Sequence, residues 1–445
     1  MANTNITRTC TAGNRRKWTW SAWIKRTATG TEENLFTGYE SSTTYTELKF
    51  NASDELQFQN RISNTWSGEL KTNRKFKDVN AWYHIVIVWD SENTNSAAQR
   101  MRMYINGVEE SSFATRQNPS NPTDSSVNWV SRPLIYGSWG QNSIYFNGCM
   151  SHIHFIDGTV YSSSDFGETD STTGEWKIKT SVSVTYGTNG SFILKDGNSL
   201  TDQSGESNTF SAGTGNLTKT EDNPSNVFAT INPLIGSNLM GSTVIFGNGN
   251  TNVQDPSGSA SGVNPYFIST LGMPSKGKFY CELKPNSFST SSGHGIGIFR
   301  TSSGNTADIT SSSNAIRYIF ADTSIYISKY GSTDQSGLTA ISSGDIVGMA
   351  LDLDNGTLQY YVNGVARGSQ ITGVSSANDG YDYFFFANLE SSSSGRYGRY
   401  YWNFGNGYFA TTAVSSAGTN ASGNGIFEYD VPTGYTALST KGLNL

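Results

Sequence analysis

Residues 100–110 read RMRMYINGVEE, and residues 357–368 read TLQYYVNGVARG. Each copy carries alternating large apolar side chains, then Asn-Gly, then a return segment that opens on Val. Asn106-Gly107 and Asn363-Gly364 suit a two-residue hairpin turn of type I′, in which both central residues need positive φ. Asn tolerates that conformation and Gly adopts it without penalty. With alternation on either side, each dipeptide predicts a hairpin. One device used twice predicts two domains of related β architecture.

The bulk composition points the same way. A chain of 445 residues has room for two or three domains, each with its own core. Charged residues make up 15% and aromatics 13% of it; soluble proteins average about 25% charged. Forty-seven glycines, with heavy use of Ser, Thr and Asn, describe short strands joined by polar turns. The expectation is an all-β protein with two β-sandwich (jelly-roll) domains in tandem, residues 1–222 and 223–445, and a strand-poor linker at about 198–226. In the first domain WTWSAWIKR (18–26) sets Trp18, Trp20, Ala22 and Ile24 on one strand face, with Trp23 and Lys25 on the other. WYHIVIVWD (82–90) reads as a central strand covered on both sides. The predicted cores include Trp18, Trp20, Ile24, Ile85, Ile87 and Trp89, then Val347, Met349, Leu351, Phe385 and Phe404.

Charge excludes some partners. The net charge is −6, and Arg15-Arg16-Lys17 is the one basic run, so no nucleic acid is expected. No apolar stretch is long enough to span a bilayer, and the first residues lack the apolar segment of a signal peptide. Cys10, Cys149 and Cys281 are too scattered for a disulfide framework and read as small buried hydrophobes.

Catalytic signals are sparse. Glu168-Thr169-Asp170 is the nearest approach to the paired carboxylates of a glycosidase, but it sits in a turn-rich stretch. Ser164, before Asp165-Phe166, reads as the cap of a short helical turn. Asp352 and Asp354 share a strand face beside the second hairpin and read as turn hydrogen-bonding groups. His152 and His154, with Asp157, are candidate metal ligands that would need a further ligand from elsewhere. His84 and His294 stand alone. No cofactor is expected, although abundant loop Asp and Asn leave calcium open. Binding is the better-supported class. Trp66, Trp129, Trp139 and Tyr330 lie in turn-like surroundings, where an aromatic ring either stacks a sugar or closes the end of a sandwich. Arg396, Tyr397, Arg399 and Tyr400 form a second candidate patch, or else an amphipathic strand.

The order WTWSAWIKR, WYHIVIVWD, RMRMYINGV, NGCMSHIHFIDG resembles a laminin-G-like, concanavalin-A-like jelly roll over about residues 1–215. GKFYCEL, GDIVGMALDLDNGTLQYYVNG and YYWNFGNGYF resemble a SPRY domain. NRRKWTWSAWIKR, IHFIDGTVYSSSDFGETDSTTGEWKIK, DNPSNVFATINPL and VPTGYTALSTKGLNL resemble segments of structural proteins of tailed, marine-type bacteriophages. These resemblances imply a non-enzymatic virion surface protein, a tail-fibre or head-surface component, docked on the particle and attached to host-surface glycan. Its partners would be other virion proteins and host-surface carbohydrate, and it would self-associate in a small symmetric set such as a trimer. It would stand on the virion exterior after synthesis in host cytoplasm, which reconciles adhesion-like composition with no export signal. A glycan hydrolase on the concanavalin-A-like fold and a SPRY-type peptide-binding adaptor are the alternatives.

Overall fold

A computed structural model describes residues 3–140, 143–195, 199–218, 220–234, 244–255, 265–290, 293–302, 312–322, 324–375, 379–389 and 397–444. The chain divides into two compact units. One comprises Met1–Lys219 with Asn223–Ser225, the other Thr220–Asp222 with Asn226–Leu445.

The strands of the first unit are β1 (Asn5–Thr9), β2 (Lys17–Arg26), β3 (Glu33–Ser41), β4 (Thr44–Phe50), β5 (Glu55–Ile62), β6 (Thr65–Lys75), β7 (Trp82–Asp90) and β8 (Met101–Ile105). They continue with β9 (Val108–Glu109), β10 (Phe113–Gln117), β11 (Pro133–Tyr136), β12 (Gly148–Asp157), β13 (Gly167–Thr169), β14 (Trp176–Ile178), β15 (Ser191–Ile193) and β16 (Ser211–Thr214). Eight form one antiparallel sheet in the order β10-β6-β5-β4-β3-β11-β1-β16, and six form another, β15-β12-β2-β7-β8-β9. Trp18 of β2 joins the two sheets, its ring 5.7 Å from Phe36 of β3 and 5.8 Å from Phe58 of β5. Trp18, Trp20, Ile24, Ile85, Ile87 and Trp89 are all fully buried in this core, as the alternation predicts. The opposite face of the six-stranded sheet is also covered. Val86, Val88, Tyr104, Ile156 and Phe166 build a second cluster there, which is why β7 is apolar on both faces.

Two details differ from expectation. The stretch predicted to be strand-poor contributes β16, which pairs with β1 at the edge of the large sheet. Ser-Ala-Gly-Thr carries no alternation, and the Asn5 side chain supplies what the sequence lacks by accepting the Thr214 N–H at 2.9 Å. The short 3₁₀ turn Ser163–Asp165 is capped by Ser162 rather than Ser164, because the Asp165 carboxylate reaches back to the Ser162 N–H at 2.7 Å.

The second unit is a sandwich as well. One sheet runs in the order 245–247, 252–255, 398–403, 278–288, 347–352, 357–362, 365–372, with 436–437 adding to 278–288. The other runs 266–268, 381–388, 294–302, 315–321, 326–329, 332–336. Val347, Met349, Leu351, Phe385 and Phe404 are fully buried in its core. Both Asn-Gly pairs sit at hairpin turns, with φ of 48° and 86° at Asn106-Gly107 and of 50° and 77° at Asn363-Gly364. Cys10 and Cys281 are buried and Cys149 is half-buried; all three are free thiols.

Candidate functional site

Alternation in β3 to β6 gives the eight-stranded sheet two unlike faces. Phe36, Leu48, Phe58 and Leu70 lie in register across the four strands and face the core. The face turned away from the core carries three rows. The first is Asn34, Lys49, Gln57 and Lys71; the second is Thr37, Glu47, Gln59 and Glu69; the third is Tyr39, Tyr45, Arg61 and Trp66. A register shift between Asn60 and Arg61 brings Trp66 into the third row.

The second row is a closed polar network. Glu47 accepts the Asn34 amide at 2.9 Å and the Gln59 amide, and the Lys49 ammonium lies 3.2 Å away. Lys49 also meets Glu32 at 3.1 Å. Glu47 is only 1% exposed despite its place on an outward face. Burial pushes its carboxyl above the usual range, with Lys49 working against that shift. Gln57 donates to Glu69 at 2.7 Å. These groups satisfy one another beside the third row.

The third row is where a ligand could sit. Tyr45 is wedged between two indoles, edge-on to Trp66 at 6.1 Å and to Trp139 at 5.6 Å. Tyr39 packs edge-on against Trp139 at 5.6 Å. Trp139 comes from the segment after β11, which a backbone pair with Ser143 holds at 2.8 and 3.3 Å. The Arg61 guanidinium lies 5.0 Å from the Trp66 ring and 6.0 Å from Tyr45. Tyr39, Arg61, Trp66 and Trp139 are half-buried, so part of each residue stays open to solvent. The row stands at the hairpin end of the sheet. There the β5–β6 turn takes positive φ at Ser63 and Asn64, and the Asn64 N–H donates to the Thr43 carbonyl at 2.8 Å. Open aromatic faces beside exposed Thr43, Ser63 and Asn64 suit a ring-shaped polar ligand such as a sugar.

The sequence singled out Trp66 and Trp139, and the fold brings them together through Tyr45. Tyr39, Tyr45 and Arg61 were missed, although the alternating TYTELKF and LQFQNRI already set Tyr45, Glu47 and Lys49 on one face and Gln57, Gln59 and Arg61 on another strand's matching face. Trp129 lies elsewhere, under the Arg15 guanidinium at 3.8 Å. In the second unit Tyr330 stacks against Arg300 at 3.7 Å and donates its hydroxyl to the Val374 carbonyl. Tyr397 is 41% exposed, but Tyr400 is fully buried and bonded to His294 at 3.1 Å. Tyr400 is therefore a core residue and not part of a binding patch; it faces inward from its strand. Arg399 is half-buried and donates to the Gln254 side chain. Arg396 lies outside the described residues.

The metal candidates do not converge. His154 is buried, stacked on Phe192 at 3.9 Å and bonded to the Tyr186 hydroxyl at 2.8 Å. His152 sits at a β-bulge with φ of 49° beside the Ser151 hydroxyl. Asp157 accepts from Asn14, Asn128 and Asn189 at 2.8–3.1 Å. Among the described residues no group of three or more His, Cys, Asp or Glu is placed to hold a metal ion. Glu168 and Asp170 are both drawn to Lys177, at 3.6 and 2.9 Å, on the hairpin formed by β13 and β14. Asp352 accepts from Asn355 at 2.9 Å and Asp354 from the Gly277 N–H at 2.9 Å, as turn residues do. His84 is not alone: Ser21 Oγ lies 2.8 Å from its Nε2, yet both are buried, out of reach of a substrate. The basic run is neutralised locally, with Arg15 and Arg16 on Asp124 and Lys17 on Asp90.

Residues 2–165 match the laminin G model described as the concanavalin A-like lectin/glucanases superfamily. Solved structures similar to this chain include the SPRY domain of human HERC1, 17% identical, covering 36% of this chain and 92% of that one with a TM-score of 0.29. A heptameric pentraxin from Limulus polyphemus is 15% identical over 48% of this chain and 89% of its own, with a TM-score of 0.30. Domains LG4-5 of the mouse laminin alpha1 chain are 9% identical over 99% and 86%, with a TM-score of 0.29. No curated protein matches. Residues 2–165 are thus similar to the laminin G, concanavalin A-like jelly-roll domains.

Proposed function

We propose that this protein binds glycan without cleaving it, through the aromatic row Tyr39, Tyr45, Trp66 and Trp139 of its first unit. The observation that carries this reading is the pair of half-open indoles held at fixed angles by Tyr45. Rigid rings placed over a satisfied polar network offer a sugar a stacking surface with little ordering cost. The paired carboxylates a hydrolase would need are not supplied by Glu168 and Asp170, which are engaged by Lys177.

Its setting is the exterior of a tailed-phage particle, as a tail-fibre or head-surface component that contacts other virion proteins and attaches to host-surface carbohydrate. The phage-like segments at 14–26, 153–179, 222–234 and 431–445 support that setting. Purified protein should bind host cells, and Trp66→Ala with Trp139→Ala should lower that binding at least tenfold while the far-ultraviolet spectrum stays unchanged. Antibody against the protein should label intact particles. Unchanged cell binding in the double variant removes the site; release of reducing sugar from host polysaccharide hands the case to a hydrolase.

A further inference from the structure

Charge at the aromatic row is arranged unevenly. On the neighbouring rows Glu47 and Glu32 share Lys49, and at the near edge Glu40 meets Arg132 at 2.9 Å. Arg61 has no such partner: among the described residues no carboxylate lies within ion-pair distance of it. One Nη donates to Asn64 of the adjacent turn, and its buried Nε has no hydrogen-bond partner. The guanidinium lies near the rings of Tyr45 and Trp66, which hold its plane without neutralising it. A half-buried cation has lost part of its hydration, so an incoming anion gains more there than at an open surface. The two carboxylates of the next row are engaged elsewhere: Glu47 is wrapped by Asn34, Gln59 and Lys49, and Glu69 accepts from Gln57.

We infer that the aromatic row selects acidic glycans, with Arg61 taking the carboxylate or sulfate of a sugar whose ring stacks on Trp66 or Trp139. This rests on the glycan-binding reading above and adds the class of sugar. The guanidinium fork matches a carboxylate or a sulfate through two parallel N–H···O bonds, and the flanking rings fix the sugar relative to it. Asn64, already tied to Arg61, keeps the side chain over the row rather than out in solvent.

The test uses the full chain and matched probes: uronic-acid and sulfated oligosaccharides, each beside its carboxyl-reduced or desulfated neutral counterpart, measured by calorimetry at low salt. The expected result is at least tenfold tighter binding of an acidic member than of its neutral counterpart, with the preference shrinking at 0.5 M salt, where the Debye length falls to roughly 4 Å. Arg61→Gln should abolish the preference, so that acidic and neutral members bind alike, and Arg61→Lys should restore part of it. Arg116→Gln, an exposed arginine on the edge strand β10 whose guanidinium donates to the Ala98 carbonyl and not to the row, should change nothing, which separates a local contact from general positive charge. Equal binding of acidic and neutral members that still depends on Trp66 overturns the acidic selectivity and leaves glycan binding standing. A preference that survives Arg61→Gln overturns the role of Arg61. Binding of neither class overturns both.

Discussion

The two Asn-Gly hairpins are built alike and closed differently. In each, the Asn side chain accepts a backbone N–H from the strand behind it, His84 to Asn106 at 2.7 Å and Ile346 to Asn363 at 2.8 Å. In each, the Asn N–H returns a bond to the same residue's carbonyl, at 2.9 and 2.8 Å. Val108 and Val365, the residues after the turns, are equally exposed at 67%. Over the glycines lies an aromatic ring from a later segment, Trp176 in one case and Tyr429 in the other. The anchors of those rings differ. Trp176 donates its indole N–H to His84 Nδ1 at 3.0 Å, which keeps that imidazole neutral and leaves its proton on Nε2 toward Ser21. Tyr429 and its neighbour Glu428 donate backbone N–H groups to the buried Glu282 carboxylate, each at 2.9 Å. One turn motif thus ends on a neutral base in the first unit and on a buried acid in the second. The turn is a local device; the lid and its anchor belong to each sandwich separately.

The largest expected effect tests the support beneath the hairpins. Ile87 and Met349 are fully buried on the strands that pair with the two hairpins. Ile87→Ala and Met349→Ala should each cost about 2–5 kcal/mol in denaturant unfolding. A loss under about half a kcal/mol at either would mean that its strand is not core.

Next comes pH, where the two anchors predict opposite signs. Burial holds His84 down to about 3, with the charge of His152 adding to the effect. Its folded value lies below the unfolded one of about 6.5, so stability is present above that and lost as pH falls toward 3. Burial lifts Glu282 to about 7, against the opposing bonds from Glu428, Tyr429, Asn403 and Tyr280. There the unfolded chain holds fewer protons between about 4.5 and 7, so stability is lost as pH rises through that window. Over their full windows the contributions are on the order of 5 kcal/mol for His84 and about 3 kcal/mol for Glu282. Hydrogen exchange resolved by segment, corrected for intrinsic rates, should show 82–90 losing protection from pH 7 to 5 while 278–288 gains it. Glu282→Gln should flatten the second trend alone. Trends of the same sign in both units would break the comparison.

The lids themselves come third. A Cβ added at Gly107 would lie 2.5 Å from the Trp176 ring, and one at Gly364 would lie 2.7 Å from the Tyr429 ring; both glycines have positive φ. Gly107→Ala and Gly364→Ala should each cost about 2–3 kcal/mol, from strain plus displacement of the ring. Trp176 fluorescence should shift in the first variant and stay put in the second. The smallest effect is at the exposed valines: Val108→Ser and Val365→Ser should each change stability by less than about 0.5 kcal/mol. A larger loss at one of them would mean that its side chain is covered in solution by something outside the chain.

Local chemistry determined much of this protein by itself. Alternation and the Asn-Gly turns specify strands, hairpins and inward faces, because a pleated strand sends neighbouring side chains to opposite sides whatever lies beyond it. That is why Trp18, Ile87, Met349 and Phe404 could be assigned to cores from spacing alone. It also made Trp66 and Trp139 visible as candidates, as aromatics in turn-like surroundings, and Tyr400 as part of an Arg-Tyr patch. Only tertiary structure separates them. Tyr400 turns into the second core beside His294, while Trp66 and Trp139, 73 positions apart in the chain, meet across Tyr45. The row joining Tyr39, Tyr45, Arg61 and Trp66 depends on a bulge in the β5–β6 pairing, and a register shift leaves no mark in composition or period. In the same way, strand alternation predicts that Glu47 and Glu282 share faces with particular neighbours. Which donors surround them, and so which way their protons are held, is decided by strand register at Glu47, through Asn34, Lys49 and Gln59, and at Glu282 by Asn403, Glu428 and Tyr429, which arrive from far along the chain.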